Sequence, residues 1–306
     1  MAHKHMSLYY ALAFFGHLCG KAAGNHLADA APRAGGGSIP ARARAARFLV
    51  KVAQLGAAVV LTLAAVLSPW ILEAARTSSA EPVVQVFRRL FPLQRGIFED
   101  YVANFWCTTS PVVKWKLLLP SSRALAAVCA AVTLAACAPS TVHQMLRPSP
   151  TGLLLGMFNA SLAFFLFSYQ VHEKGILYPL LPASLLLRRY PGRMAAFTVA
   201  AALSMAPLLL KDGLLFALIG TMMTYAGALI LCAGPPAHGG RRRRRRYLPV
   251  LERALVAAAA GTVALKVCLP PPAALPYLFD LFISASCFLV FGYTFVSMNV
   301  EQWQPH

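Results

Sequence analysis

The sequence predicts an all-α membrane protein that crosses the bilayer several times. Of its 306 residues, 58% are hydrophobic and only 12% are charged, whereas a soluble domain usually carries about 25% charged residues. The apolar residues are also gathered into runs that approach the roughly 20 residues a helix needs to cross a bilayer. With two shorter runs counted as crossings, we expect about eight or nine transmembrane helices in one membrane domain, residues 1–306.

Seven apolar runs have about the length of a transmembrane helix, and two more are shorter. The long runs are Arg47–Leu72, Arg123–Pro139, Thr151–Gln170, Arg193–Leu210, Gly213–Cys232, Leu248–Leu269 and Leu275–Val300. The short runs, Ser7–Cys19 and Ile176–Leu187, fit a tilted crossing, a re-entrant segment or one end of a longer crossing.

Charge is divided unevenly between the loops that join these runs. The net charge is +18, and the short loops on one face are much richer in Arg and Lys, which predicts that this face is cytoplasmic. On that face we expect a flexible loop, residues 21–46, and a basic loop, residues 234–247. Residues 74–120 then form the main segment of the opposite face, in a lumen or at the exterior.

The six consecutive arginines Arg241–Arg246 look like a nucleic-acid-binding run when they are read alone. Beside hydrophobic spans, such a run fixes topology and contacts anionic lipid headgroups, so we expect no nucleic-acid partner. The seven cysteines contain no Cys-x-x-Cys pair and no metal-like spacing, and most lie in apolar runs, where Cys packs as a small hydrophobic residue. No metal and no cofactor are predicted.

The segment Arg88–Cys107 differs both from a connecting loop and from a spanning helix. It alternates aromatic or aliphatic residues with charges of both signs, as a segment at a membrane surface does. Such a segment can hold a polar headgroup on one side and lipid tails on the other, or it can simply pack against its neighbours. Its polar candidates for a binding site are Arg88, Arg89, Arg95, Glu99, Asp100, Asn104 and Trp106.

A second charged group follows directly after an apolar run. His172, Glu173 and Lys174 lie where a helix leaves the membrane, and ionisable residues at this depth tend to be functional. His172 and Lys174 suit a phosphate held at the bilayer surface, and Glu173 suits the orientation of either. The alternative is interfacial anchoring, which explains Lys174 well and the His-Glu pair less well.

Two further charged pairs lie near the ends of spans. Lys211 and Asp212 are interpreted as an internal ion pair, with Asp212 capping the N-terminus of the next helix. Asp280 lies about one turn inside the last span and is expected to pair with Lys266, in either a functional or a packing role.

The two charged segments resemble a known family. RRLFPLQRGIFEDYVANFWC, which begins at Arg88, and FFLFSYQVHEKGILYPLLP, which begins at Phe164, are similar to two segments of the endoplasmic-reticulum glucosyltransferases of asparagine-linked glycosylation. These enzymes form glycosyltransferase family 57 and use dolichyl phosphate glucose. The FEDYVANFWC run resembles the member that adds the first glucose more than the member that adds the second.

The resemblance implies a GT-C type fold in the endoplasmic-reticulum membrane, with a lumenal active site that needs no metal. The implied reaction moves glucose from dolichyl phosphate glucose, with inversion, to the first α-1,3 position on the lipid-linked oligosaccharide Man9GlcNAc2-PP-dolichol. By the same resemblance, His172 contacts the donor phosphate, with Glu173 beside it. Lys174, Arg89 and Arg95 are implied to lie near the lipid-linked groups.

The chain departs from the family pattern at several points. Tyr101 stands where the family has Lys, and Gly175 where it has Ser. In the family an aspartate in the first lumenal loop is the catalytic base, and this chain resembles only the C-terminal part, so we expect that loop to be absent here and the catalytic residue stays unknown. The open alternatives are the second-glucose enzyme and a catalytically incomplete fragment that binds the donor lipid.

Overall fold

The computed structural model describes residues 5–24, 41–90, 102–119, 121–232 and 250–304, and all regular secondary structure in these ranges is helical. In chain order the helices are α1 (Ala11–Ala23), α2 (Ala41–Arg76), α3 (Glu81–Leu90), α4 (Phe105–Thr109), α5 (Trp115–Leu118), α6 (Ser122–Leu146), α7 (Pro150–Phe167), α8 (Leu177–Leu186), α9 (Pro191–Ser204), α10 (Ala206–Lys211), α11 (Leu215–Cys232), α12 (Val250–Cys268) and α13 (Leu278–Trp303). Short 3₁₀ helices precede α1 (His5–Tyr10) and α8 (Glu173–Ile176). The all-α prediction is confirmed.

Five helical segments in the described ranges are long and apolar enough to cross a membrane: Arg42–Arg76, Ser122–Leu146, Pro150–Phe167, Pro191–Lys211 and Leu278–Trp303. They match five of the seven long runs, which confirms the polytopic membrane class. A sixth segment, Leu215–Leu229, is apolar but shorter. The count of eight or nine crossings stays a prediction.

The helices extend further into the first predicted loop than the sequence suggested. Residues 21–23 form the C-terminal end of α1, and residues 41–46 form the start of α2. The cause is composition, because Ala and Arg are among the best helix formers. The loop proposed for residues 21–46 is therefore shorter at both ends, and its remaining residues 25–40 lie outside the described ranges, as does the basic loop 234–247.

The chain forms two compact units, Met1–Arg95 with Ala138–Gly156, and Gly96–Cys137 with Met157–His306. In the first unit, α1 packs against the C-terminal end of α6. At two glycines of α1, no side chain separates the two helices. A Cβ placed on Gly16 would lie 2.5 Å from the carbonyl oxygen of Thr141. Beside this contact, Nδ1 of the buried His17 lies 2.9 Å from Oε1 of Gln144. Small residues bring membrane helices together in this way.

The second unit has an aromatic core built by α7, α9 and α13. Phe158, Phe197 and Phe291 are fully buried, and their rings lie 5.0 Å (Phe158–Phe197) and 5.4 Å (Phe197–Phe291) apart, centroid to centroid. Edge-to-face and tilted aromatic pairs at such distances are attractive beyond the area they bury. This core fixes α7, whose last residue leads into the segment that contains His172.

The two predicted charged pairs have different outcomes. Lys266 donates a hydrogen bond to Asp280, as expected, and both side chains are largely buried. The capping role of Asp212 is wrong, because Asp212 directly follows the last residue of α10 and α11 begins only at Leu215. Gly213, with φ of +71°, lies in the turn between the two helices.

Candidate functional site

The segment after α7 alternates between buried and exposed side chains. Val171 and Glu173 point into the protein, while His172 and Lys174 are exposed. The alternation begins after Gln170, which has a left-handed backbone conformation (φ +59°) that is uncommon for a residue other than glycine. The turn places an imidazole and an ammonium on the outer side and keeps the carboxylate inside.

Glu173 holds His172 directly. Nδ1 of His172 lies 2.6 Å from Oε2 of Glu173, and the two side chains are 48% and 4% exposed. A carboxylate accepts hydrogen bonds, so the proton of this bond is on Nδ1 and Nε2 lies on the opposite edge of the ring. The prediction that Glu173 orients His172 or Lys174 fits this geometry for His172.

The ligand that suits this arrangement is an anion. The site exposes an imidazole, which a buried carboxylate holds, and the ammonium of Lys174 two residues further along the chain. Charged hydrogen bonds from such groups to phosphate oxygens are shorter and stronger than neutral ones. The arrangement can therefore bind a phosphate and stabilise extra negative charge on it.

Residues 102–109 form a second part of the same unit. Asn104 is buried and caps α4, accepting a hydrogen bond from the backbone N–H of Cys107 at 2.8 Å. The indole Nε1–H of Trp106, also buried, donates to the carbonyl oxygen of Phe167, the last residue of α7, at 2.8 Å. Both candidates thus hold the segment in place, and Trp106 ties it to the helix that leads to His172.

The thiol of Cys107 lies near the carboxylate of Glu173. Burial raises the pKa of Cys107 to about 12; a backbone hydrogen bond to Val102 opposes this rise, and the charge of Glu173 adds to it. The thiol is therefore neutral at physiological pH and is not a nucleophile.

The two described arginine candidates lie in the other unit, on α3. Arg88 pairs with Glu81 at 3.1 Å on an exposed surface. Arg89 lines a cavity of about 380 Å³ between the end of α2 and α3, together with Trp70 and Gln85. Of these two side chains, Arg89 lines a space that can hold a ligand. Arg95, Glu99 and Asp100 lie outside the described ranges.

Two features of the site were missed from the sequence. The left-handed conformation of Gln170 has no sequence signal, because such turns usually use Gly or Asn. The hydrogen bond from Trp106 to Phe167 had a partial signal, since a tryptophan near a membrane surface needs a partner for its N–H when it is buried. The partner itself, 61 residues away, could not be read from the sequence.

The chain is similar to known proteins along nearly its whole length. Residues 1–298 match the model of the ALG6, ALG8 glycosyltransferase family. A relative from Arabidopsis thaliana, named as a probable dolichyl pyrophosphate Man9GlcNAc2 alpha-1,3-glucosyltransferase, is 34% identical over 99% of this chain and 53% of its own length. A relative of the same name from Drosophila melanogaster is 35% identical over 98% of this chain and 58% of its own length.

A third relative, the dolichyl pyrophosphate Man9GlcNAc2 alpha-1,3-glucosyltransferase of Pongo abelii, is 37% identical over 73% of this chain and 39% of its own length. The chain thus spans about half the length of the curated relatives that it matches most fully. The family match covers nearly every residue, including both charged segments. This chain belongs to the ALG6, ALG8 glycosyltransferase family.

Proposed function

We propose that this chain forms the donor-binding part of an enzyme that transfers the first glucose, in α-1,3 linkage, from dolichyl phosphate glucose to Man9GlcNAc2-PP-dolichol. The observation that carries the proposal is the His172–Glu173 pair, an exposed imidazole held at 2.6 Å by a buried carboxylate. The names of the relatives support the acceptor. The phosphate-binding chemistry of His172 and Lys174 supports the donor.

In the proposed reaction, an acceptor hydroxyl oxygen attacks C1 of the glucose as the bond from C1 to the phosphate oxygen breaks. The bonding electrons leave with dolichyl phosphate, and the hydroxyl proton passes to a base. Lys174 donates to the phosphate, and His172 does so from Nε2 when both of its ring nitrogens carry a proton; these donors stabilise the charge that the phosphate gains in the transition state. Because the phosphate is also bound in the ground state, only the additional stabilisation increases the rate.

The proposed setting is the endoplasmic-reticulum membrane, with the His172 site facing the lumen. Five described helices have the length and composition of membrane spans. Basic residues dominate the short loops of the face opposite His172, which supports this orientation by the positive-inside rule. By family resemblance, the catalytic base is expected to be an aspartate in the first lumenal loop of the complete enzyme.

The test uses the complete protein that contains residues 1–306, expressed in cells that lack the first-glucose transferase. The lipid-linked oligosaccharides are extracted and separated by size, and we expect Glc1Man9GlcNAc2 to appear. The same protein is then expressed in cells that lack the second-glucose transferase. Rescue of only the second cell line would overturn the proposal in favour of the second-glucose enzyme. Rescue of neither, with normal expression, would contradict both transferase assignments.

The donor is tested separately with membranes from the same cells. Dolichyl phosphate glucose and a sugar-nucleotide glucose donor are supplied in parallel to membranes that contain Man9GlcNAc2-PP-dolichol. Transfer from dolichyl phosphate glucose is expected even when synthesis of this lipid from the nucleotide sugar is blocked. Transfer that requires the nucleotide sugar under this block would show that the donor assignment is wrong.

A further inference from the structure

A second cavity lies in the first unit, far along the chain from the site described above. It has a volume of about 420 Å³ and lies between α1 and α2. Each helix contributes three lining residues with the same spacing, namely Leu18, Lys21 and Ala22 from α1 and Lys51, Gln54 and Leu55 from α2. Residues at positions i, i+3 and i+4 share one face of a helix, so one face of each helix lines this open cavity.

Within the described ranges, no carboxylate compensates the charge at this cavity. Neither Lys21 nor Lys51 has an ion-pair partner in the described ranges. The first acidic residue further along α2 is Glu73, about 22 residues or roughly 33 Å from Lys51. Two ammonium groups that line one cavity repel each other unless an anion lies between them. The amide of Gln54 adds a further hydrogen-bond donor to the same cavity.

An apolar stripe leads away from the cavity along α2. Leu55 lines the cavity, and Val59, Leu63 and Val66 follow at helical spacing on the same side of the helix. These last three side chains are 59%, 52% and 39% exposed. A ligand that fits both the two lysines and the apolar stripe has an anionic head and a long apolar tail. A free inorganic anion would fit the lysines alone.

We propose that this cavity binds one anionic glycerophospholipid of the cytoplasmic leaflet. Its phosphate lies between Lys21 and Lys51, and one acyl chain lies along the stripe from Leu55 to Val66. The leaflet follows from the predicted orientation, which places the end of α1 and the start of α2 at the cytoplasmic surface. Basic pockets between membrane helices on this side bind anionic lipid headgroups. The bound lipid joins α1 to α2 at the end opposite the lumenal face.

The position of Lys21 is fixed by the neighbouring helix. Gly20 lies against the backbone of α6, where an added Cβ would meet the carbonyl oxygens of Gln144 and Met145 at 2.4 and 2.8 Å. This contact sets the rotation of α1 and therefore the face on which Lys21 lies. The α1 side of the site is thus oriented by packing against α6.

The test measures lipid retention by the purified full chain. The protein is equilibrated in mixed micelles with dioleoyl phosphatidylserine or with dioleoyl phosphatidylcholine, which has the same acyl chains. Bound lipid is then quantified by native mass spectrometry. We expect clear preference for the serine lipid and about a fivefold loss of apparent affinity for Lys21→Gln or Lys51→Gln, since a basic residue near the surface contributes about 1 kcal/mol. The double variant should lose about thirtyfold.

The controls distinguish lipid binding at this cavity from a general effect of positive charge and from binding of a soluble anion. Lys114→Gln removes the same charge from an exposed residue of the second unit and should leave retention unchanged. Lys51→Arg should retain the lipid. Equal retention of the two lipids, or an equal loss for Lys114→Gln, would overturn the proposal. Displacement of the lipid by millimolar inorganic phosphate would also overturn it, by assigning the cavity to a soluble anion. None of these outcomes depends on glucosyl transfer.

Discussion

Gly20 and Gln144 are in direct backbone contact: a Cβ added to Gly20 would lie 2.4 Å from the carbonyl oxygen of Gln144, far inside van der Waals distance. Since the obstructing atom belongs to the backbone of α6, no side-chain rotation relieves the clash. Weak Cα–H···O contacts become possible at such closeness. The pairing of α1 with α6 therefore requires glycine at this position.

Gly20→Ala is expected to lower the stability of the protein by about 1–3 kcal/mol, because one helix must move away from the other. The matched control is Gly56→Ala in α2, where no atom lies within 4 Å of the added Cβ. That change should be neutral or stabilising by up to about 1 kcal/mol, because Ala is the better helix former. Thermal unfolding in detergent compares the two. An equal effect of both variants would show that the close contact is not formed.

His172→Ala in the complete enzyme is expected to lower kcat/KM for dolichyl phosphate glucose at least about tenfold, which corresponds to about 1.4 kcal/mol of lost transition-state stabilisation. The protein should remain folded, because half of this side chain is exposed. The control Lys114→Gln removes a charge from an exposed residue outside the described site. Unchanged glucosyl transfer by the His172 variant would favour the alternative, in which the segment only anchors the chain at the membrane surface.

Substitution of Glu173 distinguishes its charge from its role as a hydrogen-bond acceptor. Glu173→Gln keeps an oxygen that can accept from Nδ1 of His172 and should lose less activity than Glu173→Leu, which keeps none. The leucine variant should approach the loss seen for His172→Ala, and combining the two should add little, since both act through one imidazole. Additive losses would show that Glu173 acts independently of His172.

Trp106→Phe is expected to destabilise the protein by about 1–2 kcal/mol, because the carbonyl oxygen of Phe167 loses its donor in a buried environment. Trp70→Phe is the matched control, since Trp70 is 42% exposed. Thermal unfolding gives the stability difference, and kcat/KM should also fall for the first variant if the segment supports His172. A neutral Trp106 variant would contradict the hydrogen bond.

Topology is checked by cysteine labelling in sealed microsomes. The exposed Cys268 is first replaced by serine, and single cysteines are introduced as Lys114→Cys and Arg188→Cys. A membrane-impermeant maleimide should label position 188, on the basic face, and reach position 114 only after permeabilisation. A cysteine within Arg241–Arg246 should behave like position 188. Labelling of all three in intact vesicles would contradict the orientation.

The sequence predicted the membrane helices well because a long apolar run has few alternatives in a bilayer. Their ends were less predictable. The run that became α6 was expected to end at Pro139, yet the helix continues to Leu146. Proline is tolerated inside membrane helices, where neighbouring groups satisfy the freed backbone carbonyl. The helix ends at Leu146, just before the Arg147-Pro148 step, because a proline disfavours the helical conformation of the residue before it.

The candidate site was only partly predictable. Charges directly after an apolar run identified His172, Glu173 and Lys174. The burial of Glu173 at 4% exposure, and its closeness to Cys107, depend on packing between segments more than 60 residues apart. Local patterns report which groups lie at the surface of the membrane, whereas tertiary contacts decide which of them turn inward.

The left-handed backbone of Gln170 gives this turn an unusual sensitivity to substitution. Glycine would relieve the conformational strain of φ +59°, but it would also let the chain between Phe167 and His172 sample several exit directions. A β-branched residue would resist the conformation altogether. Selection for thermostability should therefore favour glycine at position 170. Selection for turnover should keep a residue that holds one exit direction of the chain and so the orientation of the imidazole.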